Sequence, residues 1–264
     1  VKQLFVFDLD GTLAPSKSSL SPEMAVLLAD LLNIMKVAVI SGGAWAQFES
    51  QLLAHLPTDA RRENLFLLPT CGTQFFRYER GWEKLYSEDL TATERREIVD
   101  ALAEAFAASG IVVTRTWGEV IEDRGSQITF SALGQDAPLA EKARWDPDFA
   151  LRRRVAAILT PRLPDFAINM GGTTSIDVTK PGIDKAYGIA KLRDHVGIAV
   201  SDMLFAGDAL FEGGNDFPAQ RAGVDSLLVR DVDETARIIQ TVIACLGDGR
   251  SQIVAPATAP ARGS

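Results

Sequence analysis

The chain is poor in the residues from which several kinds of site are built. Among its 264 residues there are two cysteines and two histidines. Cys71 and Cys245 have no metal-ligand spacing, and His55 and His195 are too few for a zinc centre or a histidine-based triad. No disulfide is indicated, and a reducing cytoplasm is the simpler home. Positive charge is also in deficit. A net charge of −8 argues against nucleic acid or an anionic membrane as a partner. It does not exclude a phosphate ligand, because a local cation overrides the global field. No apolar run is long enough to span a bilayer. There is no internal repeat. The chain enters its first strand almost at once, so no signal peptide is expected, while Val1 in place of Met leaves a trimmed leader open.

What remains is an ordinary globular composition, 47% hydrophobic and 23% charged, enough for one large domain or two modest ones. Its organising stretch is Phe5-Val6-Phe7-Asp8-Leu9-Asp10-Gly11-Thr12-Leu13. The apolar run reads as a buried strand, and it ends in two carboxylates, a glycine turn and a hydroxyl. A lone Asp-x-Asp is usually a turn. At the carboxyl end of a buried parallel strand it faces the crevice where open α/β sheets bind ligands.

Strand and helix signals then alternate. Ser21-Pro22-Glu23 marks a helix start, with the helix reaching about Leu32. Lys36–Ile40 is a second buried strand, running into Ser41-Gly42-Gly43. A helix over 45–55 and a strand at Leu65–Leu68 follow. From there the character changes. A hairpin over 74–78 and 82–86, a helix over 91–108, and strands at 112–117, 119–123, 127–132, 166–170 and 174–178 suggest an inserted α+β module. Within it, 148–159 reads as an amphipathic helix whose Arg152, Arg153 and Arg154 form a solvated face. Alternation resumes with a helix over 184–196, a strand at 203–206 ending in Gly207-Asp208, and an apolar stretch at 226–229. The expected division is a core of 1–77 and 183–249, an insert of 78–182, and a disordered tail of 250–264, rich in Ala, Pro, Gly and Ser. The insert is expected to move on hinges near 87–91 and 179–184.

Three apolar strands therefore end in Asp8, Ser41 and Asp208, and the loop Gly213-Gly214-Asn215-Asp216 returns another carboxylate. Two like charges about 4 Å apart repel by about 4 kcal/mol at an effective dielectric near 20. A hard divalent cation such as Mg²⁺, which takes oxygen ligands and bridges carboxylates to phosphate, resolves the conflict. Lys185, at a helix start just past the insert, is a candidate second cation.

This order of motifs resembles the haloacid dehalogenase (HAD) superfamily. The resemblance covers nearly the whole chain, and it implies a Rossmann-like α/β core with a parallel sheet and an inserted α+β cap of type IIB (C2B). It implies Asp8 as phosphoryl-accepting nucleophile and Asp10 as general acid and base. Mg²⁺ falls on Asp8, Asp208 and the main-chain carbonyl of Asp10, and phosphate on Ser41, Gly42 and Lys185, with support from Asn215 and Asp216. Several segments are similar, more narrowly, to the eukaryotic-type phosphomannomutases: Ile121-Glu122-Asp123-Arg124 through Gly134, Gly171 to Val178, and Gly207 to Asp216. Carried over, Arg124 binds a distal phosphate, and Ser175 and Asp177 bind sugar hydroxyls. Two departures matter. Gln135 stands where that family has arginine, and Lys142 falls near another. Arginine forks suit the grip on a second phosphate better than Gln or Lys. Ile40-Ser41-Gly42-Gly43 also reads closer to cap-bearing phosphatases. The expectation is a Mg²⁺-dependent phosphatase of a small phosphorylated metabolite, such as a sugar phosphate. Phosphomannomutase is the alternative, and a non-catalytic sugar-phosphate binder comes third. A homodimer is left open.

Overall fold

The computed structural model describes residues 1–171 and 174–247. Eleven strands and eight α-helices lie among them. Strands β1 (Leu4–Phe7), β2 (Lys36–Ile40), β3 (Leu65–Leu68), β4 (Gln74–Tyr78), β5 (Trp82–Ser87), β10 (Met203–Gly207) and β11 (Asp225–Leu228) form one sheet in the order β11-β10-β1-β2-β3-β4-β5. The pairings from β11 to β3 are parallel, and the β4–β5 hairpin continues the sheet antiparallel. Every residue of β1 is buried. Phe5 and Phe7 face helices α1 (Pro22–Leu32), α2 (Trp45–Gln51) and α8 (Val232–Leu246), while Leu4 and Val6 face α6 (Lys185–Val196) and α7 (Phe217–Arg221). A strand covered on both faces must be apolar throughout, which is why β1 to β3 read as continuous runs rather than alternations.

The smaller layer is an antiparallel sheet of β6 (Ile121–Asp123), β7 (Gln127–Ser131), β8 (Ala167–Gly171) and β9 (Ser175–Thr179), in the order β6-β7-β9-β8. Helices α3 (Ala92–Ala108) and α5 (Ala150–Leu159) cover one face of it. Here the period is two. Ile128, Phe130, Ile176 and Val178 pack beneath the helices. Gln127, Thr129, Ser131, Ser175, Asp177 and Thr179 therefore share the opposite face, paired across the ladder as Thr129 with Asp177 and Ser131 with Ser175.

The structure differs from the sequence expectation in four places. The hairpin strand β5 is bonded to β4 in the large sheet, so an insert beginning at 78 would cut a hairpin in two. We place the start of the insert after Ser87 instead, just before the capping box of α3 at Thr91 and Glu94. Residues 112–117 form no strand. Val112 is exposed, and this segment instead ties its Trp117 N–H to the Leu133 carbonyl, at 2.8 Å. Helix α4 (Leu139–Trp145) lies where the sequence reading gives no element. Arg152 is buried rather than solvated, because it lies on the inward stripe of α5 with Val155 and Leu159. Arg153 and Arg154 are exposed as expected. The expected tail, 250–264, and residues 172–173 of the cap segment lie outside the described residues.

Candidate active site

The register of the parallel sheet builds the site. Phe7 is level with Val39 on one side and Ala206 on the other, so Asp8, Ser41 and Asp208 all leave the sheet at its carboxyl edge. Asp8 extends the ladder by one bond, its N–H donating to the Ala206 carbonyl at 3.0 Å. The next turn passes Gly11 at φ +87°, where a Cβ would fall 2.7 Å from Cγ of Asp208. Only glycine lets the turn lie this close to the second carboxylate.

Lys185, at the first position of α6, is fully buried with its Nζ 2.6 Å from Oδ1 of Asp8 and also paired to Oδ1 of Asp216. Asp184 caps this helix by accepting the Tyr187 N–H, at 3.0 Å, which fixes where Lys185 begins its reach. The second oxygen of Asp216 accepts the Ala209 N–H at 2.9 Å. Carboxylate oxygens of Asp8, Asp208 and Asp216 lie within 4.8 Å of one another. Three carboxylates against one ammonium leave negative charge in excess. Burial pushes the Asp8 carboxyl up to about 8, against the pull of Lys185. Asp208 is raised too, by burial and then by Asp216. Burial alone would lower Lys185, but the two carboxylates reverse this and hold it firmly protonated. Such an all-oxygen, electron-rich donor set fits a hard divalent cation, which would keep the carboxylates ionised.

The remaining expected residues sit as follows. Ser41 is buried, and its Oγ accepts the Gly43 N–H at 3.1 Å. Gly42 presents its carbonyl to the cap, accepting from Arg124 Nη1 at 2.6 Å and from Gln127 Nε2 at 3.3 Å. Arg124 is thus tied to the core loop and to Glu122, whose Oε2 accepts from its Nε at 3.0 Å and its Nη2 at 2.6 Å. Asp177 accepts from Thr129 Oγ1 at 2.7 Å, and burial raises its carboxyl although Arg124 opposes. Ser175 is half-buried beside it on the polar face, and Asn215 is exposed. The Asp10 carboxylate stands apart from the acidic cluster. Its Oδ1 accepts the Lys17 N–H at 2.6 Å and its Oδ2 accepts from Gln47 Nε2 at 2.7 Å.

Sequence reasoning missed three residues here, Lys17, Gln47 and Gln127. Lys17, at φ +52°, donates from Nζ to the Gln135 side-chain oxygen at 2.7 Å, and Lys142 donates to the Gln135 carbonyl at 2.8 Å. Gln135 and Lys142 enter the sequence reading only as departures from a family pattern. Gln47 carried one usable signal, its place on the helix that follows the Ser41 loop.

A strand-end carboxylate held by a buried lysine, an acidic cluster at the edge of a parallel sheet and an inserted cap together define a HAD-superfamily enzyme. Solved structures share this fold. A haloacid dehalogenase-like hydrolase from Bacteroides thetaiotaomicron superposes with a TM-score of 0.61 at 18% identity, over 92% of this chain and 100% of that one. The ATP-bound IMP-nucleotidase of Plasmodium falciparum gives 0.69 at 16% identity, over 95% of this chain and 62% of that one. The family model "Eukaryotic phosphomannomutase" matches residues 24–245, and the chain belongs to that family. Among its relatives, the phosphomannomutase of Encephalitozoon cuniculi is 25% identical over 94% of this chain and 96% of its own. That of Schizosaccharomyces pombe is 28% identical, over 82% and 84%. Among the described residues no helix is long and apolar enough to cross a membrane.

Proposed function

We propose that this chain moves a phosphoryl group between positions of a hexose phosphate through Asp8, as a phosphomannomutase. The observation that carries the chemistry is the buried Lys185 between Asp8 and Asp216, beside Asp208. It keeps a carboxylate oxygen fixed and ionisable at the mouth of the sheet. Family membership favours the mutase over the hydrolase to which the sequence alone leaned.

In this reading an Asp8 oxygen attacks phosphorus, the bond from phosphorus to the sugar oxygen breaks, and Asp10 supplies the proton to that oxygen. The second half runs in reverse. Asp10 takes the proton from an incoming sugar hydroxyl, which attacks the aspartyl-phosphate and frees Asp8. Ser41, Gly42 and Lys185 hold the transferring oxygens, and Asn215 supports the loop that returns Asp216. Asp8, Asp208 and the Asp10 carbonyl would hold Mg²⁺, which would supply charge neutralisation for the transferring group. Arg124, Ser175 and Asp177 present the polar face of the cap sheet to the sugar and its second phosphate.

Hydrolysis is the second reading, and one observation favours it. The side chain at 135 is an amide engaged by Lys17, not a guanidinium free to fork onto a phosphate. Mannose 1-phosphate, Mg²⁺ and a trace of hexose bisphosphate separate the two. Mannose 6-phosphate without free phosphate is expected, whereas free phosphate alone would replace the mutase with a phosphatase. Asp8→Asn is expected to abolish either activity. Absence of turnover on every phosphoester tested would leave only a binder.

A further inference from the structure

Asp10 has a donor on each carboxylate oxygen, and the two come from different places. One is the Lys17 N–H of its own loop. The other is the side chain of Gln47, on the helix that leads away from Ser41. Gln47 Nε2 also donates to Oε1 of the buried Gln51, at 3.2 Å. A carboxylate accepts, so it is Asp10 that selects the NH₂ end of the amide, and the contact with Gln51 is compatible with that orientation. The amide crosses directly over Gly43. A Cβ at that position would lie 2.6 Å from Gln47 Cδ and 3.3 Å from its Nε2. The N–H of Gly43 in turn donates to Ser41 Oγ. A single bare α-carbon thus spaces the Ser41 hydroxyl from the amide that holds Asp10.

We propose that Gln47 is the positioning residue for proton transfer by Asp10, setting which lone pair of the carboxylate faces the substrate oxygen. The inference rests on the phosphoryl-transfer reading above. It has a consequence that a merely structural role lacks. A hexose leaves as an alkoxide and needs the proton of Asp10 as the bond to phosphorus breaks. A 2,4-dinitrophenyl group leaves as a weakly basic phenoxide and needs none. Misplacing Asp10 therefore slows phosphorylation of Asp8 by the sugar phosphate and spares phosphorylation by the aryl phosphate.

The test compares first-turnover phosphorylation by mannose 1-phosphate and by 2,4-dinitrophenyl phosphate, with Mg²⁺, in wild type and in Gln47→Leu. General acid–base catalysis contributes about 10²–10⁴-fold, so a misdirected acid should forfeit about 10–100-fold with the sugar phosphate. KM should change by less than about twofold, because the lost contact matters to proton transfer and not to ground-state binding. The rate with the aryl phosphate should stay as in wild type. Gly43→Ala, which pushes the amide aside, should reproduce the split. Gln47→Lys, which keeps a donor of similar reach, should restore most of the rate. These two variants carry the comparison if Gln47→Leu does not fold. Equal loss with both phosphate donors, or loss with neither, overturns the proposal. A wild-type protein that neither donor phosphorylates overturns the phosphoryl-transfer reading, and this inference with it.

Discussion

In the large sheet, buried polar side chains gather beyond the carboxyl ends of the strands, at Asp8, Ser41 and Asp216, while the faces of β1 are apolar throughout. In the small sheet they line an entire face, with Gln127, Thr129, Ser131 and Thr179 all buried. The two arrangements suit different tasks. Groups at a strand end are held by the ladder itself, so their spacing is stiff, as bond-making requires. Groups spread over a face offer many hydrogen bonds over a wide area, as recognition of a polyhydroxylated ligand requires. Each layer also buries one cation against a carboxylate: Lys185 with Asp8 in the core, and Arg152 with Asp146 in the cap. If the division of labour is right, the first pair serves chemistry and the second serves architecture.

Lys185→Met probes the chemical side and should have the largest effect. It removes the cation that the transferring phosphoryl group would meet, a loss of about 10²–10³-fold in kcat for one such electrostatic donor. It also leaves Asp8 and Asp216 as buried carboxylates without a counter-charge, so a lowered melting temperature should accompany the lost turnover. Retention of more than about a tenth of the wild-type kcat would remove Lys185 from the reaction.

Arg152→Met probes the architectural side. Breaking a buried pair by deleting one partner costs about 3–5 kcal/mol. The lower end is expected here, because Asp146 keeps the N–H groups of Leu151 at 2.9 Å and Arg152 at 3.2 Å as partners. Arg152 also reaches the Gly171 carbonyl at 3.1 Å, so β8 should loosen. Denaturant unfolding should show the loss, while kcat of the folded protein stays within about twofold of wild type. A large fall in kcat at unchanged stability would break the division.

The same contrast explains what the amino-acid sequence reveals. Asp8, Ser41 and Asp208 could be found because a parallel strand buried on both faces is an unbroken apolar run, and its end marks the crevice. The cap offered no such marker. Residues 112–117 alternate like a strand but pair with no strand among the described residues, and the seven residues of α4 are too few to display a helical period. The strand pattern of β5 was legible, but its sheet was not, because period-two alternation does not name a neighbour. Arg152 sits in a run of three arginines, and only the helical phase separates the buried one from the other two. The bond from Gln47 to Asp10 spans 37 positions and has no local trace.

The smallest effect expected tests how the polar face meets its ligand. Lys17 and Lys142 converge on one residue, Gln135, whose carbonyl accepts from both, at 3.2 and 2.8 Å. Burial, and then the neighbouring Lys17, pull Lys142 down from its ordinary 10.5 to about 8. A depressed lysine favours folding above its unfolded value and loses that contribution as pH falls through its folded one. Near neutrality the charge on Lys142 is therefore a strain on the fold that an anionic ligand would relieve. Substrate binding should weaken as pH rises through about 8, where Lys142 gives up its proton, and KM should climb a few-fold between about pH 7 and 9. Lys142→Arg should flatten that rise, since a guanidinium does not titrate in this range. An equally steep KM profile in Lys142→Arg would assign the titration to another group and detach the lysine pair from ligand binding. A flattened profile would tie the charge at position 142 to substrate binding.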